Sequence, residues 1–344
     1  MDQSVEIAVL CTRNEGSIMA VIYVKEQGAM IQKRGERIII SKGSGTLLEI
    51  PLIQMENLAL IGNVQITAQA LHMLMEQGVD VRYFSYSEKY LGHAAAEASK
   101  NIFLRFQQYG FNLDEEKRLN MAKIIVRNKI QNQMALVRNH RWENSVHDWK
   151  NDLEQMERHL KTLSDKATPN EVLGVEGICS NIYFGAFGAM LKCDFQFHGR
   201  NRRPPKDPVN VMISLAYTFL TKEMCSMLDA ESFETYLGFL HGIRYGRKSL
   251  ALDMIEEFRQ PMIDRFVLLL FNKHMIGKYD FEFPDEGGVV LNEDGFRKFC
   301  TEYEKWVKRN SFRNRMREQA AQLKKAICKG EEYTPYSWER ENVH

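Results

Sequence analysis

Arg200-Asn-Arg-Arg-Pro-Pro-Lys-Asp-Pro208 runs directly into an apolar stretch at residues 209–228, and the junction decides how the centre of this chain folds. Asp207 is suited to cap a helix and Pro208 to be its first residue, so a long helix starts here. Upstream of the cap, Arg200, Arg202, Arg203 and Lys206 share nine residues with three prolines. The prolines stiffen the loop. Arginines held on a fixed backbone present the fork geometry that phosphate recognition needs. Glu176 precedes this loop, and His241, Asp253 and Glu256 follow it. A phosphate-holding loop between candidate metal ligands points to metal-dependent chemistry on a nucleic acid.

The bulk properties set the frame. At 344 residues the chain is long enough for two cores, and its apolar and charged fractions are those of a globular protein. The formal net charge is only +1, so any nucleic-acid role rests on how charge is distributed. Up to Tyr90 the chain carries 8 Lys/Arg against 10 Asp/Glu, and the remainder carries 38 against 35. The six cysteines are scattered without zinc-ligand spacing, which predicts reduced thiols in a cytoplasmic protein. The N-terminus has no signal-peptide pattern, and Lys222 and Glu223 make the 209–228 helix too polar for a membrane span.

Two textures divide the chain. β-Branched, alternating runs at 5–10, 18–24, 37–41, 46–51, 57–61 and 79–84 predict strands, separated by Gly-rich turns, with one helix at 67–77. After Gly92, helical periodicity takes over at 94–109, 114–140, 149–164, 169–190, 209–228, 232–242, 249–272 and 295–309, with a hairpin at 281–291. Thr168-Pro-Asn-Glu171 is a capping box that opens the helix carrying Glu176. The expected fold is α+β: a small N-terminal β-rich dimerisation domain over 1–91, then a larger, mainly α-helical catalytic domain over 92–344. Residues 331–344 read as a loose tail.

Several residues carry candidate chemistry. Glu176 sits among Val172, Leu173, Cys179, Ser180 and Tyr183, and a carboxylate in such company needs a cation, a metal or a route to water. His241 ends an apolar run, and imidazole is a common metal ligand as well as a common core residue. Asp253, Glu256, Arg259 and Gln260 share one helical stripe. That stripe reads either as a solvated face or as a carboxylate pair for Mg²⁺ or Mn²⁺. Arg244, Arg247 and Lys248 form a basic loop. A second basic cluster, from Lys305 to Lys329, interleaves with Trp306 and Phe312, as a phosphate-tracking surface does.

Taken in order, these segments resemble one family, the CRISPR-associated DNA integrase that carries out spacer acquisition, a CRISPR-associated endonuclease. The resemblance runs through Gly62-Asn-Val-Gln-Ile-Thr67, Arg105-Phe-Gln-Gln-Tyr109, Lys129-Ile-Gln-Asn-Gln133, Glu176-Gly177 with Tyr183-Phe184, the Arg202–Asn210 loop, His241 and Ser249–Arg259. It implies that Glu176, His241 and Glu256 bind Mg²⁺ or Mn²⁺, with Asp253 nearby in the catalytic site. Many members of that family carry Asp at the position of Glu256, and both residues supply oxygen ligands. It further implies a homodimer joined through the N-terminal domain, a small ferredoxin-like CRISPR adaptation protein as partner, and insertion of short DNA spacers by 3′-hydroxyl transesterification. Arg202, Arg203, Arg244, Arg247, Lys248 and Arg259 are the candidate DNA contacts. A structure-selective nuclease of branched DNA and a non-catalytic helical DNA-binding protein are the alternatives from other classes.

Overall fold

Among the described residues of the first hundred, nine strands and one helix follow one another: β1 (Ile7–Asn14), β2 (Ser17–Val24), β3 (Met30–Arg34), β4 (Arg37–Lys42), β5 (Gly45–Pro51), β6 (Met55–Ile61), β7 (Gln65–Ile66), α1 (Ala68–Glu76), β8 (Asp80–Phe84) and β9 (Tyr90–Ala94). The computed structural model describes residues 7–14, 17–52, 55–94, 101–140, 146–201, 204–284 and 288–338. One sheet has the order β1-β2-β6-β8-β9, parallel at β2/β6 and β6/β8 and antiparallel at its edges. The other is β5-β4-β3-β7. Ile22, Val24, Ile31, Ile38, Ile40, Leu58, Leu60, Leu74 and Val81 form their shared core. The alternation that predicts the strands is also what places these side chains on one face of each. Thr67 caps α1, its hydroxyl accepting from Ala70 N at 3.3 Å.

The rest is mostly helical: α2 (Ile102–Leu113), α3 (Glu115–His140), α4 (Trp149–Lys161), α5 (Pro169–Met190), α6 (Pro208–Ala230), α7 (Ser249–Ile255), α8 (Arg265–Asn272), a small hairpin β10 (Phe281–Glu282) with β11 (Val290–Leu291), α9 (Glu293–Arg309) and α10 (Phe312–Lys329). A β-rich region followed by a mainly helical one is the expected fold class. The chain divides into two compact units: Met1–Ala98 with Phe299–Lys308, and Ser99–Lys298 with Arg309–His344. The α5 and α6 starts follow their capping signals. Thr168 accepts from Glu171 N at 3.3 Å, and Asp207 accepts from Asn210 N at 2.8 Å. α5 is long and apolar enough to cross a membrane. It buries Val172, Val175, Cys179, Tyr183, Ala186, Phe187 and Met190.

Three expectations are corrected. The helix expected over 232–242 is irregular chain. Its backbone is satisfied by side chains from elsewhere: Gln108 Nε2 donates to Glu234 O and Leu237 O, both at 3.0 Å, and Asn112 Nδ2 donates to Gly238 O at 2.7 Å. The helix expected over 249–272 breaks at Ile255 and passes through a π-helical stretch, Arg259–Asp264, before α8 resumes. The tail is not loose up to residue 338, because Tyr333, Tyr336 and Trp338 are buried. Residues 339–344 lie outside the described residues.

Candidate active site

The second unit gathers the candidate residues from four places: α3, α5, the irregular segment before α7, and the end of α7. α3 carries an unusual buried stripe. Asn128, Lys129, Asn132 and Gln133 lie on its inner face among Ile125, Ile130 and Leu136. Lys129 reaches Glu176 of α5 through an ion pair and hydrogen bond. Its ammonium also lies 2.7 Å from Glu256 Oε2, at the end of α7. One cation therefore joins two candidate carboxylates, 80 residues apart in sequence, at one point.

Each carboxylate also has a second partner. Ser180, one turn along α5, donates to Glu176 Oε1 at 2.8 Å, and Gln133 donates to Ser180 Oγ at 3.1 Å. Arg259 Nη2 lies 3.1 Å from Glu256 Oε1. Its guanidinium stacks 4.7 Å from the Tyr217 ring centre. Tyr217 and Tyr183 donate to the two oxygens of buried Asp264 at 2.7 and 2.6 Å. Burial raises the carboxyl of Glu176, but Lys129, Ser180 and Arg259 outweigh it and hold the pKa at about 2. Glu256 is 2% exposed. Burial again raises its carboxyl, and Arg259, Lys129 and His241 together bring it below the usual range against the repulsion of Glu176. Both groups are anions at neutral pH. The solvated-face reading of the Asp253–Glu256 stripe does not hold, since both side chains are buried.

His241 sits on the irregular segment and not on a helix. Asp253 fixes it there. Asp253 Oδ2 accepts from Phe239 N at 2.6 Å and Leu240 N at 2.9 Å. Its Oδ1 accepts from His241 N at 3.0 Å and His241 Nδ1 at 2.6 Å. Gly238 is required at this turn, because a Cβ there would lie 2.6 Å from Asp253 Oδ2. A carboxylate on Nδ1 assigns the proton to that nitrogen and leaves Nε2 as the basic one. Asp253 is thus occupied with orienting the imidazole and the backbone that carries it. His241 acts electrostatically on Glu256.

Among the described residues no three His, Cys, Asp or Glu side chains are already drawn to ligating distance. The donor set nevertheless suits a divalent cation. It offers two anionic carboxylates and an imidazole backed by a buried carboxylate, an arrangement typical of metal-binding histidines. Glu256 Oε2 is buried and makes no hydrogen bond despite its proximity to Lys129, which leaves a lone pair for a cation.

The candidate DNA contacts divide by geometry. Arg202 and Arg203 lie outside the described residues. In the same loop Arg200 turns inward to Asn210 and Ser214, and Lys206 is exposed. Arg244 is exposed. Arg247 folds back on Gly242 O and Ser249, and Lys248 pairs with Asp229 at 3.2 Å. Arg259 is the counter-ion of Glu256. In the 305–329 cluster, Arg313 pairs with buried Glu223 at 2.8 Å, Lys324 with Glu231 at 2.8 Å and Lys305 with Glu302 at 2.7 Å. A cleft of about 420 Å³ lies beside the His241 segment, lined by Asn112, Arg118, Thr168, Asn170, Gly242 and Ile243 among others.

The family model described as "CRISPR associated protein Cas1" matches residues 22–305. This chain belongs to the Cas1 family. It is 35% identical over 292 residues to "CRISPR-associated endonuclease Cas1 3" of Thermus thermophilus, covering 84% of this chain and 85% of the relative. A solved Cas1 protein from Thermotoga maritima shares the fold at TM-score 0.78 and 24% identity, covering 92% of this chain and 99% of that one. A casposase bound to its integration product has the same fold at TM-score 0.78 and 21% identity, with 91% of each chain covered. Sequence reasoning placed Lys129 only within a segment resembling the Cas1 family. The signal for its role is the run of polar residues breaking an apolar stripe on α3.

Proposed function

We propose that this chain is a divalent-metal-dependent DNA integrase and endonuclease that inserts short DNA spacers into a CRISPR array. The observation that carries the reading is the meeting of Glu176 and Glu256 at one buried cation, beside an imidazole oriented by Asp253. Membership of the Cas1 family, whose relatives are named endonucleases, supports it. So does the shared fold with a casposase bound to an integration product.

In this reading Glu176, Glu256 and His241 Nε2 hold Mg²⁺ or Mn²⁺. When bound, that ion activates a 3′-hydroxyl and offsets charge on the attacked phosphodiester. The residues of the chain do the rest. Asp253 keeps the imidazole in the tautomer that presents Nε2. Ser180 and Gln133 fix the rotamer of Glu176, and Arg259, held by Tyr217, fixes Glu256. One P–O bond forms to the incoming 3′-oxygen and one breaks to the departing strand. The same site run backwards cleaves branched DNA, so integrase and branched-DNA nuclease activities belong to one centre. A purely electrostatic DNA-binding role is less well supported, because several cations of the basic cluster are already paired within the chain.

DNA is the substrate. A second copy of the chain joined through the N-terminal domain and a small ferredoxin-like adaptation protein complete the assembly, in the cytoplasm. The test is an integration assay with a 3′-hydroxyl duplex, a supercoiled array plasmid, the partner protein and Mg²⁺ or Mn²⁺. Strand transfer should appear with either metal and vanish with EDTA. Arg202→Ala with Arg203→Ala should weaken DNA binding first and reduce the salt slope by about one for each phosphate no longer neutralised. Strand transfer undiminished in EDTA would rule out the metal-dependent reading.

A further inference from the structure

Lys129 carries no role in the strand transfer proposed above, yet its ammonium contacts both candidate carboxylates. It lies in the middle of α3 and its side chain is 5% exposed. Burying an ammonium costs several kcal/mol unless a partner compensates it. Here two partners do, and both are the carboxylates assigned as metal ligands.

We infer that Lys129 is a resident counter-cation that holds Glu176 and Glu256 together when no divalent ion is bound and competes with that ion for the same oxygens. The inference rests on the metal-site reading. Three features of the geometry carry it. Ser180 and Lys129 share Glu176 Oε1, and Arg259 takes Glu256 Oε1. The ammonium thus bridges one oxygen of each carboxylate, Glu176 Oε1 and Glu256 Oε2. The Lys129 contact to Glu256 is an ion pair without hydrogen-bond geometry, so it is electrostatic and replaceable. The two cations of the site also differ in mobility. Arg259 is stacked on Tyr217 and cannot leave without giving up that contact. Lys129 is a compact charge on a flexible four-carbon stem.

A divalent ion entering between these carboxylates meets the ammonium at contact distance. Either the lysine withdraws and gives up two ion pairs, or it stays and repels the ion. Both outcomes weaken metal binding relative to a site without the charge. Both also mean that the metal-free site leans on Lys129, since Glu176 and Glu256 would otherwise repel each other in a buried setting.

The test is calorimetric titration of Mn²⁺ into the metal-free, full-length protein and its Lys129→Met, Lys129→Gln and Glu176→Gln variants. Thermal midpoints are recorded in EDTA and in saturating Mn²⁺. Lys129→Met and Lys129→Gln should bind Mn²⁺ about tenfold or more tightly than the parent, as expected for removal of a like charge at ion-pair distance. Both should melt lower than the parent in EDTA, and Mn²⁺ should close the gap. A variant that unfolds in EDTA and recovers in Mn²⁺ supports the inference in stronger form. Parent-like or weaker Mn²⁺ affinity in both lysine variants overturns it while the metal site stands. So does loss of fold in both that Mn²⁺ fails to restore. A parent that takes up no Mn²⁺ and is indistinguishable from Glu176→Gln overturns the metal-site reading itself.

Discussion

Glu256→Gln and His241→Ala should each reduce strand transfer and DNA cleavage by about a thousandfold or more, because Lewis-acid stabilisation is worth several kcal/mol and each ~1.4 kcal/mol is tenfold in rate. Gln keeps the size and hydrogen-bonding capacity of Glu256 and removes the charge a divalent ion requires. Lys129 retains Glu176 as a partner in that variant, so the fold should survive, as circular dichroism would show. DNA affinity should move little, since phosphate contacts dominate it and respond mainly to salt. Glu256→Asp is the informative companion. It restores the charge on a shorter arm and should recover part of the missing rate, whereas a purely structural role for Glu256 gives no reason for Asp to outperform Gln. Undiminished integration by Glu256→Gln and His241→Ala would place the chemistry elsewhere in the molecule.

What the sequence made legible follows from how local each signal is. Cap residues act within one turn, so the starts of α5 at Thr168 and α6 at Asp207 could be read directly. Six N-terminal strands showed through their β-branched or alternating runs, but β3, β7 and β9 did not; in β3 only Ile31 of Met30–Arg34 is buried. α10 was hidden by its charge. Its buried residues Phe312, Met316, Ala320, Leu323 and Ile327 follow helical spacing inside what looked like a basic cluster. The segment before α7 failed for the opposite reason. Phe233, Leu237, Phe239 and Leu240 look like a helix face. Their backbone conformation is set by Gln108, Asn112 and Asp253, and no local pattern reports partners as distant in sequence as Gln108 and Asn112. For the site, the acidic and histidine residues could be nominated from the chain. The pairing of Lys129 with both carboxylates is a property of packing between α3, α5 and α7. Asp253 could be placed near the site, but its task of fixing His241 appears only once the loop is closed around it.

The C-terminal segment supplies the largest expected effect on stability. Tyr333 OH donates to Glu257 Oε1 at 2.6 Å, and Tyr336 N donates to its other oxygen. The Tyr336 ring stacks on Phe258 with 5.1 Å between centres, and Arg265 lies 4.2 Å from the Trp338 ring centre. Asn132 ties the same segment to α3, accepting from Trp338 N at 3.1 Å and donating to Glu257 O at 3.0 Å. Burial raises the Glu257 carboxyl to about 8, even though both tyrosine contacts pull it down. The segment therefore covers the residue next to Glu256 and braces the helix that carries Lys129. Truncation after Gly330 removes three buried aromatic side chains, each worth about 1.5–3 kcal/mol, and strips Glu257 of both donors. The truncated protein should unfold at clearly lower temperature or denaturant concentration and lose strand transfer with it. Tyr333→Phe, which removes only one hydrogen bond, should cost about 1–3 kcal/mol and leave transfer measurable. Denaturant titration followed by tryptophan fluorescence, run beside the integration assay, separates the two. A truncated chain that unfolds at the parent's midpoint and still integrates DNA would show that Glu256 and Lys129 are held in place without the strap.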